Sequence, residues 1–342
     1  MSITDQITRI QNAKSAIKTS IENKGVTVAA DAKLDAYPAL IDSIEVGSGG
    51  GGGGSTEYVN PDYFMVKTND NTYYTNAFSM VEDFKTIDVE NLDTSKVTYM
   101  AHCFNSCVYA FDKKKIWDFS NWNTSVAENT SYMFYNAGPS RGEKKIGSEL
   151  RINGWTWNTA GTIKNMFDSC RFEKICFTNI NFATTPYTTD YLFQTVGAKE
   201  IDVTGTDFSK FKSFDSWFKS AYDLERIIGD IDMSSANPSS TWTSESYSMF
   251  YNCKKLTSVH LKNIYKNTAM TNHVKFCIRL NTTALTDECL IEIINELPDL
   301  INDKGLTETD KIYLYLPKTN TLTEAQVKVA TDKGWNVANT TY

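Results

Sequence analysis

Apolar positions recur along this 342-residue chain with three different periods, and each period predicts a different kind of structure. In residues 1–46, Ile3, Ile7, Ile10, Ile17 and Ile21 follow one another at steps of 4, 3, 7 and 4. That is a heptad seam interrupted at Lys14, and it predicts an amphipathic helix closed by Lys24-Gly25. A second helix, with Pro38 near its start, is expected from Leu34, Tyr37, Leu40, Ile41 and Ile44. A helix of about 20 residues with one apolar stripe is marginal alone, so the stripe needs a partner. Residues 47–56 contain GSGGGGGGS, whose glycines lose too much backbone entropy to order; this is a linker spanning roughly 17 Å as a coil.

From residue 57 to 285 the pattern is a repeat. Phenylalanine anchors stand at Phe78, Phe104, Phe134, Phe167, Phe193, Phe218, Phe250 and Phe276, spaced 26, 30, 33, 26, 25, 32 and 26 apart. The residues one before and three after each anchor are apolar in all repeats but the last. About 8 residues beyond the anchor comes a period-two stretch, as in Thr86–Val89, Lys174–Phe177, Glu200–Val203 and Ser258–Leu261, which predicts a strand buried on one face. Leu92-Asp93-Thr94-Ser95, Trp122-Asn123-Thr124-Ser125 and Trp157-Asn158-Thr159-Ala160 supply turn and cap chemistry before the next anchor. One repeat is therefore a strand, a capped turn and a short helical turn carrying the Phe. Eight in series predict a mainly β solenoid of about eight coils with a continuous core.

Residues 286–342 predict a small α/β cap. Thr286 opens a helix with Leu290, Ile293, Ile294 and Leu297 on one face, Ile312–Leu316 is a strand, Thr321 with Glu324 forms a capping box for a second helix, and Trp335–Ala338 is a last strand.

Composition narrows the function. A net charge of -7 with scattered Lys and Arg argues against nucleic acid as a partner, and no apolar run is long enough for membrane insertion. The opening MSITDQITRI shows no export signal. Seven cysteines without a C-x-x-C pair are expected as reduced, buried thiols. His102, His260 and His273 stand in no metal or nucleophile spacing, and neither metal nor cofactor is expected. Cys107, Cys170 and Cys253 share one repeat position and are expected as packing residues, and Trp122 and Trp157 as core. The carboxylates Asp88, Glu90 and Asp93, or Asp202 and Asp207, could serve a glycosidase; solvated charge is the ordinary explanation, and no catalytic residue is expected.

The segments NLDTSKVTYMAHCFNSC, NWNTSVAENTSYMFYNAG and SESYSMFYNCKKLTSVHL resemble the BspA-type leucine-rich repeats over residues 62 to 285, with many strand leucines replaced by Ile, Val and Phe. The head is similar to N-terminal attachment modules of tailed-phage virion proteins, and the tail to the closing segment of repeat proteins in gut phages and their hosts. These resemblances imply a leucine-rich-repeat-like solenoid without enzymatic activity, displayed on a phage virion as a tail or head fibre that recognises a glycan or protein of the bacterial surface. A bacterial adhesin and a carbohydrate-active enzyme are the alternatives. The N-terminal module would hold another virion protein, and isoleucine at both seam positions points to a homotrimer through Ile3, Ile7, Ile10, Ile17 and Ile21.

Overall fold

The computed structural model describes Lys14, Lys18, Val28, Ala29 and residues 66–338, apart from 69–70, 74–76, 85–86, 159–160, 187, 237–248, 268–276 and 308–311. The chain divides into two compact units, Met1–Val59 and Asn60–Tyr342. In the first, Lys14 and Lys18 are helical and Val28 is buried. The seam residues Ile3, Ile7, Ile10, Ile17 and Ile21, the linker 47–56 and the last anchor, Phe276, lie outside the described residues.

The second unit runs β1 (Val66–Thr68), β2 (Asn71–Tyr73), β3 (Val97–Tyr99), β4 (Ile116–Asp118), β5 (Glu149–Asn153), β6 (Thr156–Trp157), β7 (Lys174–Thr178), β8 (Asn181–Phe182), β9 (Glu200–Asp202), β10 (Arg226–Asp232), β11 (Ser258–Lys262), β12 (Cys277–Arg279), α1 (Asp287–Glu296), β13 (Tyr313–Tyr315), α2 (Glu324–Asp332) and β14 (Asn336–Ala338). Its main sheet is parallel, in the order β11-β10-β9-β7-β5-β4. Successive coils are in register, Ile116 beside Glu149, then Lys174, Glu200, Arg226 and Ser258. Alternation puts Leu150, Ile175, Ile201, Ile227 and Val259 on the inner face, all essentially inaccessible. In β10 the register shifts between Arg226 and Asp230. Gly229 (φ +89°) makes that bulge, and a side chain there would meet the Thr204 backbone at 2.7 Å.

The solenoid has about six turns, fewer than the eight expected, because both ends depart from the repeat. After the first anchor a strand is expected over Thr86–Val89; Thr86 lies outside the described residues, Ile87 and Asp88 are in no strand, and Val89–Asn91 forms a 3₁₀ turn. There the Glu90 carboxylate accepts the Asp118 N–H on β4, and the Val89 carbonyl accepts the Trp122 indole N–H at 2.8 Å, so side-chain bonds stand where a ladder would. At the other end Cys277–Arg279 joins a separate parallel sheet, β12-β13-β14.

The anchors build the other side. The rings of Phe78, Phe104, Phe134, Phe167, Phe193, Phe218 and Phe250 stack in sequence at 5.0–5.7 Å and within 13° of parallel. The segments carrying the Phe anchors are runs of overlapping hydrogen-bonded turns, in place of the helical turn expected. Alternate N–H groups close turns within the coil, as Cys103 to Met100, Asn105 to His102 and Cys107 to Phe104. The intervening ones bind the next coil, as His102 to Ser131, Phe104 to Met133 and Ser106 to Tyr135. Alternation requires a left-handed residue two before and two after the anchor, and these are His102 and Ser106, Tyr132 and Asn136, Asn165 and Ser169, Tyr191 and Thr195, and Ser216 and Ser220. A helix would direct every N–H along its own axis and leave neighbouring coils unbonded.

The cap packs α1 on β11, with the Thr286 side chain accepting the Cys289 N–H. The capping box of α2 is Thr323 with Gln326; Thr321 is taken instead by the Asp287 carboxylate.

Candidate recognition surface

The outer face of the main sheet carries the same alternation in reverse. Its first column reads Ile116, Glu149, Lys174, Glu200, Arg226 and Ser258, so acid and base alternate from coil to coil. Lys174 reaches Glu200 at 2.8 Å, Arg226 pairs with the same carboxylate, and Lys199 reaches Glu173 at 2.7 Å. Glu149 accepts Arg151 Nε at 2.9 Å. These bonds hold Glu149 and Glu173 below the usual carboxylate range, Glu149 chiefly through Arg151 and Glu173 chiefly through Lys199. Lys174 and Lys199 are raised by the carboxylates they bind. Cys176 lies in the next column between Arg151 and Asp202, its thiol pushed up to about 12 by burial and by Glu149.

Beside this column lies a groove of about 330 Å³ that runs across four coils. One wall is the polar insertion before β5. Lys115 donates to the Lys144 and Ile146 carbonyls at 3.1 and 2.8 Å, and the Gly147 N–H donates to Glu173. Lys145 extends over Gly197 to Asp223 at 3.7 Å. A side chain at position 197 would come within 3.2 Å of that amine, so glycine lets it pass.

The residues singled out in the sequence fall elsewhere. Asp93, Asp202 and Asp207 each accept the backbone N–H two residues on, at 2.9–3.0 Å, which closes Asx turns; Asp88 binds Asn91, and Glu90 binds Lys114 and β4. None of these contacts brings two of the carboxylates together across a cleft. His102 stacks on Tyr132 at 4.8 Å, and its pKa is lowered by burial. His260 meets Glu292 of α1 at 3.0 Å, while His273 lies outside the described residues. Cys107, Cys170 and Cys253 are buried, with thiol pKa values raised by desolvation, and Trp122 and Trp157 are core. Among the described residues no group of three or more His, Cys, Asp or Glu could hold a metal ion, and no helix is long and apolar enough to cross a membrane. The charged column was missed because it cannot be seen along the chain. Its signal is the strand starts at 149, 174, 200 and 226 laid side by side, where the charge changes sign each time.

A family model described as a Mycoplasma protein of unknown function, DUF285, matches residues 65–178, from β1 to the end of β7. No curated protein and no solved structure matches the chain. The matched segment and the parallel β-solenoid together fit a repeat protein of the BspA type.

Proposed function

We propose that this chain is a non-enzymatic recognition protein, carried as a fibre on the tail or head of a tailed-phage virion, that presents its solenoid to a bacterial surface. The carrying observation is the outer face of the main sheet. Its side chains stand in ordered columns on a scaffold hydrogen-bonded from coil to coil, and such a surface positions contact groups with little entropy left to lose on binding. The N-terminal module attaches the fibre to another virion protein and assembles three copies through Ile3, Ile7, Ile10, Ile17 and Ile21. The protein is assembled in the host cytoplasm and reaches the outside with the particle.

The test is binding of the labelled full-length chain to susceptible and resistant cells, with released sugar measured in the same tubes. Saturable binding to susceptible cells without sugar release supports the proposal. Glycan cleavage without stable binding overturns it in favour of an enzyme. The match to a family described as mycoplasmal favours one second reading, a cell-surface adhesin. Labelling on purified virions against bacterial envelopes separates the two.

A further inference from the structure

The ion pairs of the groove share an asymmetry that Lys114–Glu90, at 45% and 14%, also has, but only at the groove does it recur on successive coils. In the pairs Lys113–Asp83, Lys262–Asp230 and Lys255–Asp223, base and acid are similarly exposed, the acids at 46–53%. At the groove, Glu149, Glu173 and Glu200 keep only 11–20% of their side-chain surface, whereas Lys174, Lys199 and Arg226 keep 36–58%. Three recessed carboxylates therefore form the floor and three projecting cations the rim, with Arg151, the partner of Glu149, beside them. The floor acids are already engaged by these cations, and Glu173 also by the Gly147 N–H. A group approaching from solvent meets ammonium and guanidinium first, because Coulomb attraction falls with distance and with screening. Lys145, laid over Gly197 from the insertion, is paired with the more exposed Asp223 and so adds no net charge beside the groove, and Glu225 is the groove's remaining acid. Lys174 and Arg226 begin β7 and β10, and Lys199 immediately precedes β9, which lies between them, with neighbouring strands about 4.8 Å apart. A ligand that uses all three carries repeated negative charge along its length.

We propose that this groove binds an anionic polysaccharide laid along the solenoid axis, its acidic groups on Lys174, Lys199 and Arg226. This rests on the surface-recognition function above and names the ligand class and the place. Fixed carboxylates hold the cations in position before the ligand arrives, which lowers the ordering cost of binding.

The matched probes are dextran sulfate and uncharged dextran, titrated against the full-length chain at low and at roughly threefold higher salt, with duplex DNA as a second polyanion. Dextran sulfate is expected to bind at least tenfold more tightly than dextran and to weaken at least fivefold with the added salt. Lys199→Gln and Arg226→Gln, both at exposed positions, are each expected to weaken it at least threefold. Glu225→Gln is expected to tighten it, an effect that a purely structural role for these charges would not produce. Melting curves of each variant separate lost binding from lost fold, and Arg226→Lys retains charge if Arg226→Gln fails to fold. Equal binding of dextran, equal binding of DNA, indifference to the rim variants, or no polymer binding at all would each overturn the assignment. Because saturable binding to susceptible cells is measured separately, recognition can stand when this ligand class fails.

Discussion

Phe167→Ala tests the stacked core at its centre. The ring is fully buried, stacked on Phe134 at 5.7 Å and 1° and on Phe193 at 5.0 Å and 7°, with Phe177 edge-on at 5.5 Å. Lost transfer free energy for a buried Phe is about 2 kcal/mol. Three aromatic pairs at about 0.5–1 kcal/mol each bring the total to about 3.5–5 kcal/mol. That agrees with the range of about 3–5 kcal/mol for Phe→Ala in cores, where the cavity left behind contributes. Phe167→Leu keeps most of the volume and loses the ring pairs, so it is expected to cost about 1.5 kcal/mol. Urea unfolding followed by circular dichroism measures both. Hydrogen exchange adds position, because the Phe134 and Phe167 N–H groups bind the Met166 and Leu192 carbonyls across the altered coil and should lose protection before the α1 amides do. A Phe167→Ala protein that unfolds at the parental urea concentration would refute the stacked core.

Thr195 holds a left-handed φ of 52° at an exposed site, and its N–H bond to Lys219 survives substitution, so Thr195→Gly is expected to stabilise by about 0.5–1 kcal/mol, read as a rise in urea midpoint. Asp168 is buried, its carboxylate accepting from Asn165 Nδ2 and Ser169 Oγ, and burial raises its pKa; the folded state therefore holds its proton to higher pH than the unfolded chain, so stability falls as pH rises from 3.8 through the folded value. Asp168→Asn is expected to be more stable than the parent at pH 7 and to lose that share of the pH dependence. Glu173 has the opposite sign: its lowered pKa contributes stability above 4.5 that is lost as pH falls through the folded value, and Glu173→Gln removes it. Lys333 donates to the Ile294, Asn295 and Leu297 carbonyls at 2.7–3.1 Å at the end of α1, and Lys333→Met is expected to cost about 1.5–3 kcal/mol by thermal melting. Deleting residues 1–46 is expected to convert a trimer to a monomer by light scattering, and a full-length monomer at micromolar concentration would refute the isoleucine seam.

The repeat was legible because phenylalanine is large, recurs at one position and stacks on its own copies in the neighbouring coils; strands β7, β9 and β11 were legible because alternation needs just one buried face. The anchor turns were not, since the left-handed positions hold Ser, Asn, Tyr, Thr and His rather than glycine, and what selects that conformation is the hydrogen bond to the next coil. Thr86–Val89 alternates as well as any true strand, yet Glu90 and the Val89 carbonyl are committed to β4 and Trp122, and Val89–Asn91 folds into a turn. Thr321 and Thr323 each have a partner three residues on, and only Asp287, 34 residues earlier, decides which caps α2. The groove was invisible for the same reason: its acids and bases lie about 25 residues apart and become neighbours only when the coils stack.

The most direct measurement is the binding isotherm of the full-length chain on susceptible cells, set against that of a Lys199→Gln, Arg226→Gln double variant with an unchanged melting curve. The account predicts saturable binding by the parent and at least tenfold weaker binding by the variant. Superimposable isotherms would contradict it, because the recognition surface would then lie away from the charged columns of the main sheet.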